Sequence, residues 1–167
     1  MKAELRTKSI KEENSTRQRN LVTFRLGKHI CALPIEPVVQ IIPMATITPI
    51  PQLNSSLKGV INVHGKAVPI INLRHHMGLC KASLRLHAPV ILVRNGDGLI
   101  GLIVDKVAEV LSLPDDEITD FTDILSTRLH KVPILQGVAN VRDSLVLLLD
   151  MDHLRLPYQA RALLPVQ

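Results

Sequence analysis

From Gly59 to Arg74 the chain first alternates and then turns almost wholly apolar. Val60, Asn62 and His64 interleave with Ile61 and Val63, and Val68 to Leu73 follows as a nearly continuous aliphatic run. Period-2 alternation marks a strand with unlike faces, and the aliphatic run is a return strand. Gly65-Lys66 between them predicts a two-residue turn with glycine first, the type II′ geometry that suits strand twist. Pro69 cannot donate to a ladder, so the return strand is expected at a sheet edge, or Pro69 at a bulge.

This pattern occurs twice. Gly137-Val138-Ala139-Asn140-Val141-Arg142-Asp143 stands 78 positions after Gly59, followed by the aliphatic Leu145 to Leu149. His64 falls on Arg142 and Asn72 on Asp150. Leu21 to Ile30, a hairpin around Gly27-Lys28-His29, returns as Val90 to Leu99 at an offset of 69. Between the hairpins, Ile35, Val38 and Ile41 fall at helical spacing, with Pro37 tolerable in a first turn and Pro43 ending it. One or two helical turns are predicted there, and again over Leu102 to Leu111, where Val107 answers Val38 and Glu109 answers Gln40.

Each half therefore reads as hairpin, helical turn, loop, hairpin. Met44 to Lys58 is a loop whose Thr48-Pro49-Ile50-Pro51 favours extended backbone. Asp115 to Gln136 is expected to carry a short turn of helix, and Asp152 to Leu156 another. Short antiparallel strands with close turn signals predict two small barrels sharing an aliphatic interface. Domain limits follow: a mobile polar tail over 1–19, one domain of two barrels over 20–158, and a frayed end over 159–167.

Composition sharpens this picture. The 167 residues include one Tyr, two Phe and no Trp, so the core is built from Val, Ile and Leu. No apolar run approaches a membrane span and residues 1–20 hold no apolar signal segment, so a cytoplasmic protein is expected, without membrane insertion. Cys31 and Cys80 form no C-x-x-C pair and are expected reduced. The net charge is +5, but six basic and three acidic residues within 1–19 account for +3 of it. A domain near neutrality, with Phe24, Phe121 and Tyr158 scattered along it, is a poor nucleic-acid binder.

Chemistry is equally sparse. The seven histidines show no metal-ligand spacing, and the adjacent His75-His76 would diverge in strand or helix alike. No phosphate loop, Rossmann glycine pattern or nucleophile elbow occurs. Asp115-Asp116-Glu117 reads as a solvated cap, and Cys31 as an inert core residue. No catalytic residue, metal or cofactor is expected.

Several stretches together resemble the CheW-like domains of bacterial chemosensory systems: Val22 to Gly27, Val38 to Ile41, Gly59 to Gly65, Val68 to Arg74, Gly101 to Val107 and Val110 to Pro114. The resemblance runs from about Leu21 to Leu156. It implies a mainly β fold of two five-stranded SH3-like barrels around a shared hydrophobic core, the first strand pairing with the C-terminal half. It also implies a non-enzymatic adaptor linking the cytoplasmic tip of a chemoreceptor to a CheA-type histidine kinase. The contact surface implied is Val38, Gln40 and Ile41, with Asn62 and His64 beside them. The family usually carries Glu at the position of Gln40 and Arg at that of His64, so a neutral Gln40–His64 hydrogen bond is expected in place of an ion pair. Runner-up readings are an adaptor in another signalling or surface-motility complex and, less favoured, a small-barrel nucleic-acid binder.

Overall fold

The computed structural model describes residues 16–51, 56–79, 85–121 and 134–154. They form strands β1 (Gln18–Leu26), β2 (His29–Pro34), β3 (Val38–Ile42), β4 (Leu57–Val63), β5 (Lys66–Asn72), β6 (Val90–Asn95), β7 (Gly98–Ile103), β8 (Lys106–Pro114), β9 (Ile118–Asp120), β10 (Leu135–Val141) and β11 (Ser144–Leu149). A four-residue helix, α1 (Leu73–His76), follows β5, capped by the Asn72 side chain, which accepts from the His75 N–H at 3.4 Å. Two 3-10 turns, Asp115–Glu117 and Met151–His153, are also present among the described residues. Gln18 and Arg19, assigned to the tail by composition, are the first residues of β1. The first fifteen residues and the end beyond Leu154 lie outside the described residues.

The strands divide into two sheets, β8-β1-β2-β11-β10-β9 and β3-β6-β7-β5-β4. The sequence repeat relates β1–β5 to β6, β7, β8, β10 and β11. Each sheet therefore draws its first hairpin from one repeat and its remaining strands from the other. The exchange is closed by two matching parallel ladders: β2 on β11, with Ala32 opposite Leu148, and β7 on β5, with Gly101 opposite Ile70. Both small residues sit against a long aliphatic one; a Cβ on Gly101 would lie 2.3 Å from Ile70 Cδ1.

The two helical turns predicted around Val38 and Val107 are strands. β3 pairs antiparallel with β6, and β8 with β1. A register shift falls between Val38 and Gln40, and the corresponding one lies where Val22 and Phe24 meet Val110 and Val107. Each is a β-bulge, whose extra residue turns a period of two into an apparent period of three. Only the entry to β3 is turned, with the Val38 N–H donating to the Ile35 carbonyl at 3.0 Å.

The hairpin tips also differ from expectation. Val63 pairs with Lys66, so the β4–β5 turn is His64-Gly65, at φ 50° and 82°, one residue earlier than predicted. Positive φ at both positions is a type I′ turn. Its repeat mate is Arg142-Asp143, at φ 48° and 63°, with no glycine at all. A left-handed non-glycine residue costs roughly 1–2 kcal/mol, so Asp143→Gly should raise the unfolding free energy by about 1 kcal/mol, read as a higher urea midpoint at unchanged slope. An unchanged midpoint would show that the Asp143 side chain offsets that cost.

β5 is an interior strand, not the edge that Pro69 suggested. Val60 gives its N–H and C=O to Thr48, at 3.0 and 2.8 Å. Val60–Pro69 is thus a non-hydrogen-bonded pair, and the parallel ladder to β7 begins only at Ile70. Pro69 lies where its missing donor is not required.

Three aliphatic clusters form the core. The largest takes Phe24, Leu26, Cys31, Leu33 and Leu149 from one sheet and Ile71, Ile91, Val93, Ile100 and Leu102 from the other. It is the shared core expected between the barrels. Smaller clusters fill each barrel separately.

Candidate functional site

β3 is an edge strand, hydrogen-bonded to β6 on one side. Its bulge and edge position leave Gln40 exposed, with Val39 at 47% and Ile41 at 44%. Aliphatic side chains so exposed on an edge are poorly explained by packing. Val38 is different: half-buried, it packs against the shared core. Its contribution to any docking face is one edge of a side chain whose remainder supports the fold.

Asn62 and His64 stand at the exposed end of the β4–β5 hairpin. The Asn62 Oδ1 accepts from the Gly65 N–H at 2.8 Å, bracing the turn that carries His64. Gln40 and His64 do not hydrogen bond to each other, so the expected neutral pair is not formed. The strands that carry them are opposite ends of one sheet's hydrogen-bonding order, which brings the five candidate residues onto two separate elements.

The repeat mates of this pair do interact. Arg142 Nη1 lies 3.2 Å from Glu109 Oε1, tying β8 to the β10–β11 hairpin. Glu109 is also held by its backbone: Thr23 Oγ1 donates to its carbonyl at 2.8 Å and accepts from its N–H at 3.1 Å. Thr23 is 2% exposed, so the bulge is pinned from within. These side chains help line a pocket of about 220 Å3, together with Arg25, Ile30, Leu111 and Val146. Sequence reasoning placed Glu109 on Gln40 and Arg142 on His64 but did not draw the pair from it; the repeat itself was the available signal.

A second polar knot joins the two sheets. The Asp105 carboxylate accepts from the Gly27 N–H, and Arg74 Nη2 stands 3.7 Å from the same oxygen. Arg74 Nε is buried without a hydrogen-bond partner. The Asp105 N–H donates to the Arg25 carbonyl at 3.0 Å. β1–β2, α1 and the β7–β8 turn therefore meet at one carboxylate.

Cys31 is buried, and desolvation pushes its thiol up to about 12. The thiolate is the nucleophile, so in a Cys80→Ser background iodoacetamide at pH 8 should leave the native protein unlabelled and modify Cys31 only under denaturant. Rapid labelling of the folded chain would show that β2 opens. His76 is held below the usual imidazole range by burial and by the neighbouring His75. Among the described residues no group of three His, Cys, Asp or Glu is placed to hold a metal ion, and no helix is long and apolar enough to cross a membrane.

Comparison with known proteins gives this arrangement a family. The chemotaxis protein CheW of Thermotoga maritima is 24% identical over 139 residues, covering 83% of this chain and 89% of that protein. CheW of Klebsiella aerogenes is 29% identical over 139 residues, 81% of each chain. Protein PilI of Pseudomonas aeruginosa is 30% identical over 117 residues, 70% of this chain and 65% of that one. The crystal structure of the scaffolding protein TtCheW from Thermoanaerobacter tengcongensis superposes with a TM-score of 0.72 at 25% identity, covering 80% of this chain and 90% of that one. The family model of the CheW-like domain matches residues 20–156, nearly all of the described fold, and the chain belongs to the CheW-like domain family.

Proposed function

We propose that this protein is a non-enzymatic adaptor that couples chemoreceptors to a CheA-type histidine kinase, with β3 and the β4–β5 hairpin as its docking face. The family is one of chemotaxis scaffolds and adaptors. The observation that carries the reading to these residues is the exposure of Val39 and Ile41 on the edge strand that also holds Gln40. Aliphatic anchors beside polar groups are what a small protein–protein contact uses. Such contacts bury less than about 1,200 Å2 and gain strength from multivalency in an array.

Gln40 and His64, where the family usually carries Glu and Arg, fit a partner whose facing groups hydrogen bond without opposing charge. A second reading is an adaptor of the same build in another signalling or surface-motility complex; one relative carries the name Protein PilI and not that of a chemotaxis protein. The two readings differ only in which receptor and kinase are recovered.

The experiment is a pull-down from native cytoplasm, comparing wild type with Ile41→Arg. Ile41 is preferred to Val38 because its exposure leaves the core untouched by the change. A receptor or histidine kinase should be recovered by wild type and reduced at least tenfold by the variant, equivalent to about 1.4 kcal/mol. Equal recovery by both would remove β3 from the docking face; recovery of neither partner, or of nucleic acid, would remove the coupling role.

A further inference from the structure

We propose that Arg74 and Asp105 form a two-position latch between the sheets: loose in this structure, and tight when Nε and Nη2 of Arg74 together grip the Asp105 carboxylate. The guanidinium is only half engaged. Nη2 stands 3.7 Å from Asp105 Oδ2, near enough for an ion pair but too far for a hydrogen bond. Nε is buried without a hydrogen-bond partner, a state that buried donors rarely keep. Both contacts of the carboxylate, with Arg74 and with the Gly27 N–H, fall on Oδ2. Oδ1 is the acceptor that Nε lacks, and an arginine fork takes both oxygens of a carboxylate at once. Shortening the gap by about 0.5–1 Å would complete it.

Each half of the latch is fixed to its own sheet. Asp105 holds the β1–β2 tip by two bonds, one from the Gly27 N–H to its carboxylate and one from its own N–H to the Arg25 carbonyl. Arg25 in turn pairs with Lys106 at the start of β8. On the other side α1 follows β5 directly, and Leu73 and Met77 are buried in the shared core. The Arg74 carbonyl accepts from the Leu79 N–H at 3.0 Å. Tightening therefore draws the β1–β2 tip and the start of β8, as one piece, toward α1, and changes the angle between the barrels.

The fold itself does not require the latch. In the repeat, Gly96 takes the place of Gly27, Glu36 that of Asp105 and Asp152 that of Arg74. Gly27 and Gly96 share the same left-handed backbone, at φ 60° and 58°. A Cβ on Gly27 would meet Arg74 Nη2 at 2.8 Å, whereas one on Gly96 would have nothing within 4 Å. Glu36 and Asp152 are exposed and form no ion pair among the described residues. One hairpin tip is latched, and its repeat mate, with the same backbone, stands open. A device present on one side only acts on the angle between the barrels and not on the strand plan. This goes beyond the coupling role and does not rest on it.

The test is amide NMR relaxation dispersion on the full chain, which reads exchange on the µs–ms scale of collective motions. The probes are the amides of Gly27, Lys106 and Leu79, on both sides of the latch, with Gly96 as control. Wild type should show exchange at all the probes with one common rate, and none at Gly96. Arg74→Lys keeps the charge but lacks Nε and the fork, so that exchange should be lost. Asp105→Asn keeps an acceptor for the Gly27 N–H but not the charge, and should lose it too, which covers a lysine variant that does not fold. A role in packing alone would lower the urea midpoint of both variants with no wild-type exchange to lose. A flat wild-type profile, exchange of equal size at Gly96, or exchange that persists in a folded variant would overturn the proposal.

Discussion

Gly59→Ala should destabilise the domain by about 3–5 kcal/mol, the largest effect expected of adding one methyl group to this chain. Gly59 lies at φ 143°, where L side chains are strained, and a Cβ there would sit 2.2 Å from the Thr48 carbonyl oxygen. That oxygen accepts the Val60 N–H, and the Thr48 N–H donates back to Val60. Neither side can yield without breaking the bridge that closes the sheet between residues 43–51 and β4. Gly137, the repeat mate, is approached in the same way by the Thr119 carbonyl at 2.5 Å, but its φ is ordinary. Gly137→Ala should therefore cost less, about 1–3 kcal/mol. Urea unfolding of the two variants measures the difference; equal losses would mean that the backbone approach, and not φ, sets the cost at Gly59.

Phe24→Ala should cost about 3–5 kcal/mol, typical for emptying a large aromatic site in a close-packed core. Phe24 is fully buried, and its cluster draws on both sheets. The described residues packed with it in that cluster include no second aromatic ring that could move in to fill the space. The informative readout is cooperativity. If the rest of the shared core still couples the barrels, the variant should unfold in one transition, at a midpoint lowered by about 10 °C. Two transitions would show that each barrel stands on its own small cluster.

Most of the strand plan was legible because its signals were local. Alternation at Val60 to His64 and the aliphatic run from Val68 read directly as a hairpin, and its second copy at Gly137 exposed the repeat. Two of the misreadings share a cause. A bulge adds one residue without altering the hydrophobic content, so Val38 to Ile42 and Val107 to Leu111 counted as helical turns although both are strands. The same one-residue ambiguity displaced the predicted turn from His64-Gly65 to Gly65-Lys66, since glycine suits either position. Pro69 was read as an edge marker because its partner's commitment to Thr48 is a long-range fact.

The candidate site was legible by position and not by geometry. Exposure of Gln40, Ile41, Asn62 and His64 follows from their places on an edge strand and a hairpin end, whereas Val38 shares its side chain with the core. The expected Gln40–His64 contact did not form, while Glu109 and Arg142, aligned with them by the repeat alone, stand 3.2 Å apart. Knowing which residues correspond does not tell which side chains reach.

The exchange of hairpins between the two halves sets an order of events during synthesis. Every strand of the β3-β6-β7-β5-β4 sheet lies between Val38 and Ile103, so that sheet can close once residue 103 has left the ribosome. β1 and β2 emerge first but pair outward only with β8 and β11, which end at Pro114 and Leu149. The earliest hairpin made is thus the last to be enclosed, its β2 edge waiting for β11 until nearly the whole chain is translated. Slowing elongation after Ile103 should lengthen the exposure of that hairpin to chaperones and proteases, and leave the first sheet protected.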